Sequence, residues 1–126
     1  MKAFFVDRDG VINIDKGYVH KIKDFVFTNG IFDALNFIQA QGYHIFIITN
    51  QSGIGRGLFS ENEFLELTNW MLNEFNINGI KIQTVEFCPH LPNEFCSCRK
   101  PNIGLMDKLC AIFPIDKINS WVVGDK

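Results

Sequence analysis

Lys2-Ala3-Phe4-Phe5-Val6-Asp7-Arg8-Asp9-Gly10 is a short apolar run that ends on two carboxylates one residue apart. In an extended segment residues i and i+2 point to one side, so Asp7 and Asp9 would face a common point just beyond a strand. Two carboxylates so close repel each other unless a cation or a shared proton offsets them. A hard cation such as Mg²⁺ suits these oxygens and keeps positions open for a phosphate. One aspartate could then attack phosphorus while the other, partly protonated, manages the leaving group. The same residues also fit a polar turn, since Asp-Gly is a common turn pair. This segment alone leaves the two readings level.

Outward from it, residues 3–6, 43–48, 82–87 and 119–123 are short apolar or β-branched runs that read as strands, and the stretches between them read as helices. Ile31, Leu35 and Ile38 mark one helical face, with Gly42 as the stop. Ser60 and Glu63 form a capping box ahead of the stripe Phe64, Leu67, Met71 and Phe75. Leu105, Met106, Leu109, Cys110 and Phe113 predict a third helix between Pro101 and Pro114. This alternation predicts an α/β fold, a parallel sheet with flanking helices and right-handed crossovers. Sites then belong at the carboxyl ends of the strands. Asp7 and Asp9, Thr49 and Asn50, and Gly124-Asp125-Lys126 all fall there. Residues 11–28 break the alternation, with apolar pieces around Gly17-Tyr18-Val19-His20, and read as a small flap near the site.

With 126 residues the chain has room for a single domain, 1–126, with a real core. Its composition, 47% hydrophobic and 21% charged, is that of an ordinary globular protein rather than a disordered one. A formal charge of -2 leaves no broad cationic face for nucleic acid, so small-molecule partners are expected. No apolar run approaches a membrane span and no secretory leader is evident, which predicts no membrane association and a cytoplasmic location. In that compartment, cysteines clustered at 88, 96 and 98 favour metal over disulfide, while Cys110 reads as core.

Thr49-Asn50-Gln51-Ser52-Gly53-Ile54-Gly55-Arg56-Gly57 supplies a hydroxyl, amides and permissive glycines where a phosphate oxygen could bind. It is neither a dinucleotide fingerprint nor a P-loop. The three arginines, Arg8, Arg56 and Arg99, all lie in such motif loops, which hints at an anionic substrate. Cys88-Pro89-His90 and Cys96-Ser97-Cys98 offer the ligand set of a closed, structural zinc site, with spacings tighter than the usual C-x₂₋₄-C. Reduced surface thiols are the alternative. Lys100, directly after this loop, would bring a cation toward the carboxylates, which phosphoryl transfer requires.

Together these motifs resemble the haloacid dehalogenase superfamily of phosphatases: Asp-x-Asp-Gly after strand one, Thr after strand two, a Lys, then Gly-Asp. Within it, Asp7-Arg8-Asp9-Gly10-Val11-Ile12-Asn13, Gly17-Tyr18-Val19-His20, Ile48 to Ile54, Cys88-Pro89-His90 and Cys96 to Pro101 are similar to the enzymes that remove the 7-phosphate of D-glycero-D-manno-heptose 1,7-bisphosphate. The resemblance implies a Rossmann-like fold with a zinc loop at 88–98, Asp7 as nucleophile and Asp9 as acid/base. It implies that Thr49 and Lys100 hold the phosphoryl group and that Asn50, Arg99 and Lys126 line the substrate site. Mg²⁺ falls to the Asp7 side chain, the Asp9 carbonyl and Asp125, and Zn²⁺ to Cys88, His90, Cys96 and Cys98. A sugar phosphate substrate, a monomer and a place in making ADP-heptose for lipopolysaccharide are implied with it.

The sequence stops at Lys126, where the family continues to a further acidic residue, a helix and a strand. The resemblance therefore implies that the C-terminal part of the fold is missing, with lower stability and weaker Mg²⁺ binding expected. Histidinol-phosphate phosphatases are close relatives and stay open as an alternative. So does a truncated, non-catalytic module that binds zinc or phosphate. A receiver-type signalling domain would carry its acceptor aspartate after strand three, where this chain has Cys88.

Overall fold

The computed structural model describes residues 1–91, 96 and 104–124. Strands β1 (Lys2–Val6), β2 (Tyr43–Asn50), β3 (Ile82–Cys88) and β4 (Trp121–Val123) form one sheet in the order β3-β2-β1-β4. Every pairing is parallel, with Val6 opposite Ile47 and Val123, and Asn50 opposite Cys88. The chain moves outward from β1 through β2 to β3, then returns to place β4 on the other side of β1. That reversal opens a crevice at the carboxyl end of β1, where open α/β sheets bind their ligands.

Helices α1 (Ile31–Ala40), α2 (Ser52–Gly55), α3 (Glu61–Ile77) and α4 (Gly104–Ile112) accompany the strands. The capping box forms as the sequence predicts: Glu63 N–H donates to Ser60 Oγ at 3.1 Å and Ser60 N–H to Glu63 Oε1 at 3.0 Å. The first of these satisfies one of the orphan amides of α3, and the second holds the capping residue itself. Phe64, Leu67, Met71 and Phe75 are all buried.

Strand alternation divides the core between the two faces of the sheet. Val6, Ile45 and Ile47 pack with Leu35 of α1 and with Leu67, Met71 and Phe75 of α3. Ala3, Phe5, Phe46 and Ile48 pack with Leu105 and Leu109 of α4. Burying each such side chain stabilises the fold by about 1.5–3 kcal/mol, and the sheet is covered on both sides by the period-2 pattern alone. Cys110 is only half-buried, so it is not the core residue its sequence context suggests. On β4, Trp121 is 61% exposed.

Residues 11–28 pack more closely than a loose loop. Ile14 N–H donates to Val26 O and Thr28 N–H to Ile12 O, both at 2.8 Å, which closes a short antiparallel pairing. Ile12, Val19 and Phe25 are buried, and Phe25 and Phe27 meet Trp70 of α3 at centroid distances of 5.6 and 5.7 Å. Among the described residues, no helix is long and apolar enough to cross a membrane.

Candidate active site

Asp7 follows the last residue of β1, where the apolar run ends at the crevice, and is only 7% exposed. Its N–H donates to Val123 O of β4 at 3.0 Å, and its Oδ1 accepts the Arg8 N–H at 2.8 Å. The turn then closes on one carbonyl, because Val11, Ile12 and Asn13 N–H groups all donate to Arg8 O at 2.8–3.3 Å. Gly10 takes φ +92°, a backbone state that side chains resist, which makes the Asp-Gly pair a turn as well as a site.

Arg8 corrects one expectation. It is 1% exposed and faces the protein rather than an anionic substrate. Its guanidinium binds Asp9 Oδ1 and Oδ2 at 3.0 and 3.1 Å and the Val19 carbonyl at 2.7 Å, which ties residues 11–28 to the acidic turn. The physical reason is local: a buried guanidinium needs partners, and its planar fork can serve a carboxylate and a carbonyl together.

Thr49 and Asn50 end β2, the strand beside β1, and Thr49 is buried. Gln51 lies just beyond. Its Nε2 donates to Thr49 Oγ1 at 3.0 Å and to Asp9 Oδ2 at 2.9 Å. Asn13 Nδ2 adds a bond to Asp9 Oδ1 at 3.0 Å. Asp7, Asp9 and Thr49 therefore come together at one end of the sheet. The sequence places Gln51 in a phosphate-binding loop and Asn13 in a family motif but gives neither a role toward Asp9. The available signal was the i, i+2 spacing of Thr49 and Gln51, which puts both on one side of an extended stretch.

At the end of β3, the Cys88 sulfur lies 3.4 Å from His90 Nδ1 and 3.7 Å from the Cys96 sulfur, and the three ligand atoms lie within 4.8 Å of one another. Two sulfurs bound tetrahedrally to zinc would be roughly 3.8 Å apart, given Zn–S bonds of about 2.3 Å. The soft donor set and its spacing fit zinc. Zinc would take these sulfurs as thiolates, so the zinc-binding state is the reduced one. The remaining predicted site residues, Cys98, Arg99, Lys100, Asp125 and Lys126, lie outside the described residues. The nearly buried Asp7 carboxylate and the Asp9 carbonyl are hard oxygens, a donor chemistry that fits Mg²⁺. Arg8 is turned onto the Asp9 carboxylate, with Nη2 at 3.0 Å from Oδ1.

A groove of about 350 Å³ lined by Gln39, Gly42, Tyr43, His44, Lys81 and Gln83 lies at the opposite, amino-terminal ends of β2 and β3. It contains none of these residues.

Known proteins agree with the geometry. The profile of the family described as polynucleotide kinase 3 phosphatase matches residues 2–126. The chain is 51% identical over 124 residues to the D-glycero-alpha-D-manno-heptose-1,7-bisphosphate 7-phosphatase of Campylobacter jejuni, covering 98% of this chain and 71% of that protein. It is 46% identical over 131 residues to the D-glycero-beta-D-manno-heptose-1,7-bisphosphate 7-phosphatase of Vibrio cholerae, covering 98% and 70%. The crystal structure of the D,D-heptose 1,7-bisphosphate phosphatase from B. bronchiseptica, complexed with magnesium and phosphate, superposes with a TM-score of 0.92 at 29% identity, covering 100% of this chain and 71% of that one. A buried aspartate at the switch point of a parallel sheet, with its acidic and hydroxyl neighbours, and these likenesses over nearly every residue converge: the chain belongs to the heptose 1,7-bisphosphate 7-phosphatases of the haloacid dehalogenase superfamily.

Proposed function

We propose that the chain removes the 7-phosphate of D-glycero-D-manno-heptose 1,7-bisphosphate through an aspartyl-phosphate on Asp7, as a cytoplasmic, monomeric step in supplying ADP-heptose for lipopolysaccharide. The observation that carries this is the joining of three chemical roles at one sheet end. Asp7 is held nearly buried at the crevice, Thr49 lies at the tip of the adjacent strand, and Gln51 bridges Thr49 to Asp9.

In the first step an Asp7 carboxylate oxygen forms a bond to phosphorus while the bond to the sugar oxygen breaks, and Asp9 gives that oxygen a proton. In the second, Asp9 takes a proton from water as the water oxygen attacks phosphorus, and Asp7 leaves as carboxylate. Thr49 and Lys100 hold the phosphoryl oxygens, and Asn50, Arg99 and Lys126 hold the sugar phosphate. Mg²⁺, held by Asp7, the Asp9 carbonyl and Asp125, offsets the charge of the phosphoryl group. Cys88, His90, Cys96 and Cys98 would hold a structural Zn²⁺, which would fix the loop that carries Arg99 and Lys100.

The test is phosphate release from heptose 1,7-bisphosphate and from histidinol phosphate, with Mg²⁺, by this chain and its Asp7→Asn variant. Turnover of the bisphosphate that is lost in the variant is the expected result. Turnover of histidinol phosphate alone would reassign the substrate, and release from neither by a folded, zinc-loaded chain would leave a binding module.

A further inference from the structure

Gln51 is a polar side chain 4% exposed, with one amide nitrogen shared between two groups of the site. Asp9 Oδ2 accepts from it at 2.9 Å and Thr49 Oγ1 at 3.0 Å. Its Oε1 faces the Arg8 guanidinium at 3.5 Å. The backbone fixes it as well, since Gln51 N–H donates to Cys88 O at 2.7 Å. Asp9 has other donors, Arg8 and Asn13, yet those bonds run back into its own turn. Among the described residues, Gln51 is the one whose side chain bridges the acid/base turn to the strand that holds the phosphoryl group.

We propose that Gln51 is a positioning residue for proton transfer: its amide sets the Asp9 carboxyl relative to the phosphoryl group gripped at Thr49. The inference rests on the phosphatase reading above. Asp9 must deliver its proton to the oxygen leaving phosphorus, so its distance from the Thr49 end of the site matters at the moment that bond breaks. Removing the amide leaves the nucleophile intact and misplaces the acid.

An experiment on leaving groups separates this role from a structural one. A sugar alkoxide needs a proton to depart, whereas 4-nitrophenolate leaves without one. kcat/KM stops at departure of the leaving group and so excludes the later hydrolysis of the aspartyl-phosphate. For Gln51→Leu, kcat/KM on heptose 1,7-bisphosphate is expected to fall about 10–100-fold, part of the roughly 10²–10⁴-fold that acid–base catalysis supplies. The fall on 4-nitrophenyl phosphate should be at least about ten-fold smaller, since no proton need reach that leaving group. Where Gln51→Leu does not fold, as judged by its melting transition, Gln51→Asn keeps the amide but is too short to reach both partners and should show the same split. Equal losses on the two esters would mean that Gln51 serves the fold or the phosphoryl grip, and no loss would mean that it does not position Asp9. Either overturns the proposal alone. A wild-type chain inactive on both esters overturns the phosphatase reading beneath it.

Discussion

The Arg8 guanidinium grips the carboxylate of its own neighbour, Asp9, at both oxygens while the rest of the side chain is buried. Adjacent residues rarely pair this way, because they usually point apart. Here the turn on the Arg8 carbonyl brings Asp9 round to meet it. Arg8→Met leaves Asp9 and the Val19 carbonyl each short of a donor. It should destabilise the protein by about 1–3 kcal/mol, the cost of leaving partly buried polar groups without a partner. Arg8→Lys should recover only part, since a point charge cannot serve both acceptors as a fork does. Urea unfolding of both variants measures this, and a Met variant as stable as wild type would show that Asp9 does not depend on Arg8.

The loop after β2 has no room for a methyl group at Gly55, where a Cβ would lie 2.6 Å from Pro89 O. Gly55 N–H also donates to that oxygen at 3.0 Å. Gly55→Ala should cost about 1–3 kcal/mol through overpacking and push Pro89, between two candidate metal ligands, out of place. Gly57 has open space around its Cβ position but φ +73°, so Gly57→Ala should cost about 1 kcal/mol from backbone strain alone. Melting curves with zinc content measured alongside distinguish them: zinc should drop in the first variant only.

Zinc itself is checked by metal analysis of protein purified under reducing conditions. We expect one zinc ion per chain, and Cys96→Ser should lower both its occupancy and the melting temperature, because a metal that binds only the folded state adds its binding energy to folding. Full zinc occupancy in the Ser variant, or none in the wild type, would remove Cys96 from the ligand set or the metal from the protein.

The capping box gives a pH signature. The Ser60 N–H donated to the exposed Glu63 carboxylate, helped by the Ser60 hydroxyl and the charges of His20 and Lys21, lowers the Glu63 pKa below its ordinary value. A lowered pKa means that the contribution is complete above the unfolded-state value and is lost as pH falls through the folded-state value. Glu63→Gln should therefore flatten the acid limb of the stability curve by lowering stability slightly at neutral pH while leaving it nearly unchanged at pH 3. Ser60→Ala should lower stability by about 1 kcal/mol. Thermal melts from pH 3 to 7 show both effects.

The alternation of strands and helices was legible because it rests on local rules: the apolar periods of β1 and α3, and a capping box that closes within four residues. The grouping of Asp7, Asp9 and Thr49 was legible for a related reason, since parallel topology gathers strand ends. Arg8 was misread because an arginine beside two acids suggests solvent or substrate until the Val19 carbonyl, eleven residues on, is seen to reach it. The bond from Gln51 to Asp9 was not legible because the two lie 42 residues apart in sequence. The one-turn helix α2 was read as open loop, because its glycines hide any helical preference.

Arg8 is among the largest fully buried side chains in the protein. The acidic turn is thus as much a part of the interior as Phe46 or Leu67, and opening it means exposing the guanidinium's apolar stem and breaking its ion pair at once. Such a turn has no inexpensive way to fray while the domain stays folded. Heat inactivation and loss of tertiary structure should therefore share a midpoint, and the amide protons of Arg8 and Asp7 should exchange with solvent no faster than those at the centre of β2. For this protein, keeping the nucleophile in place and staying folded are a single cooperative event.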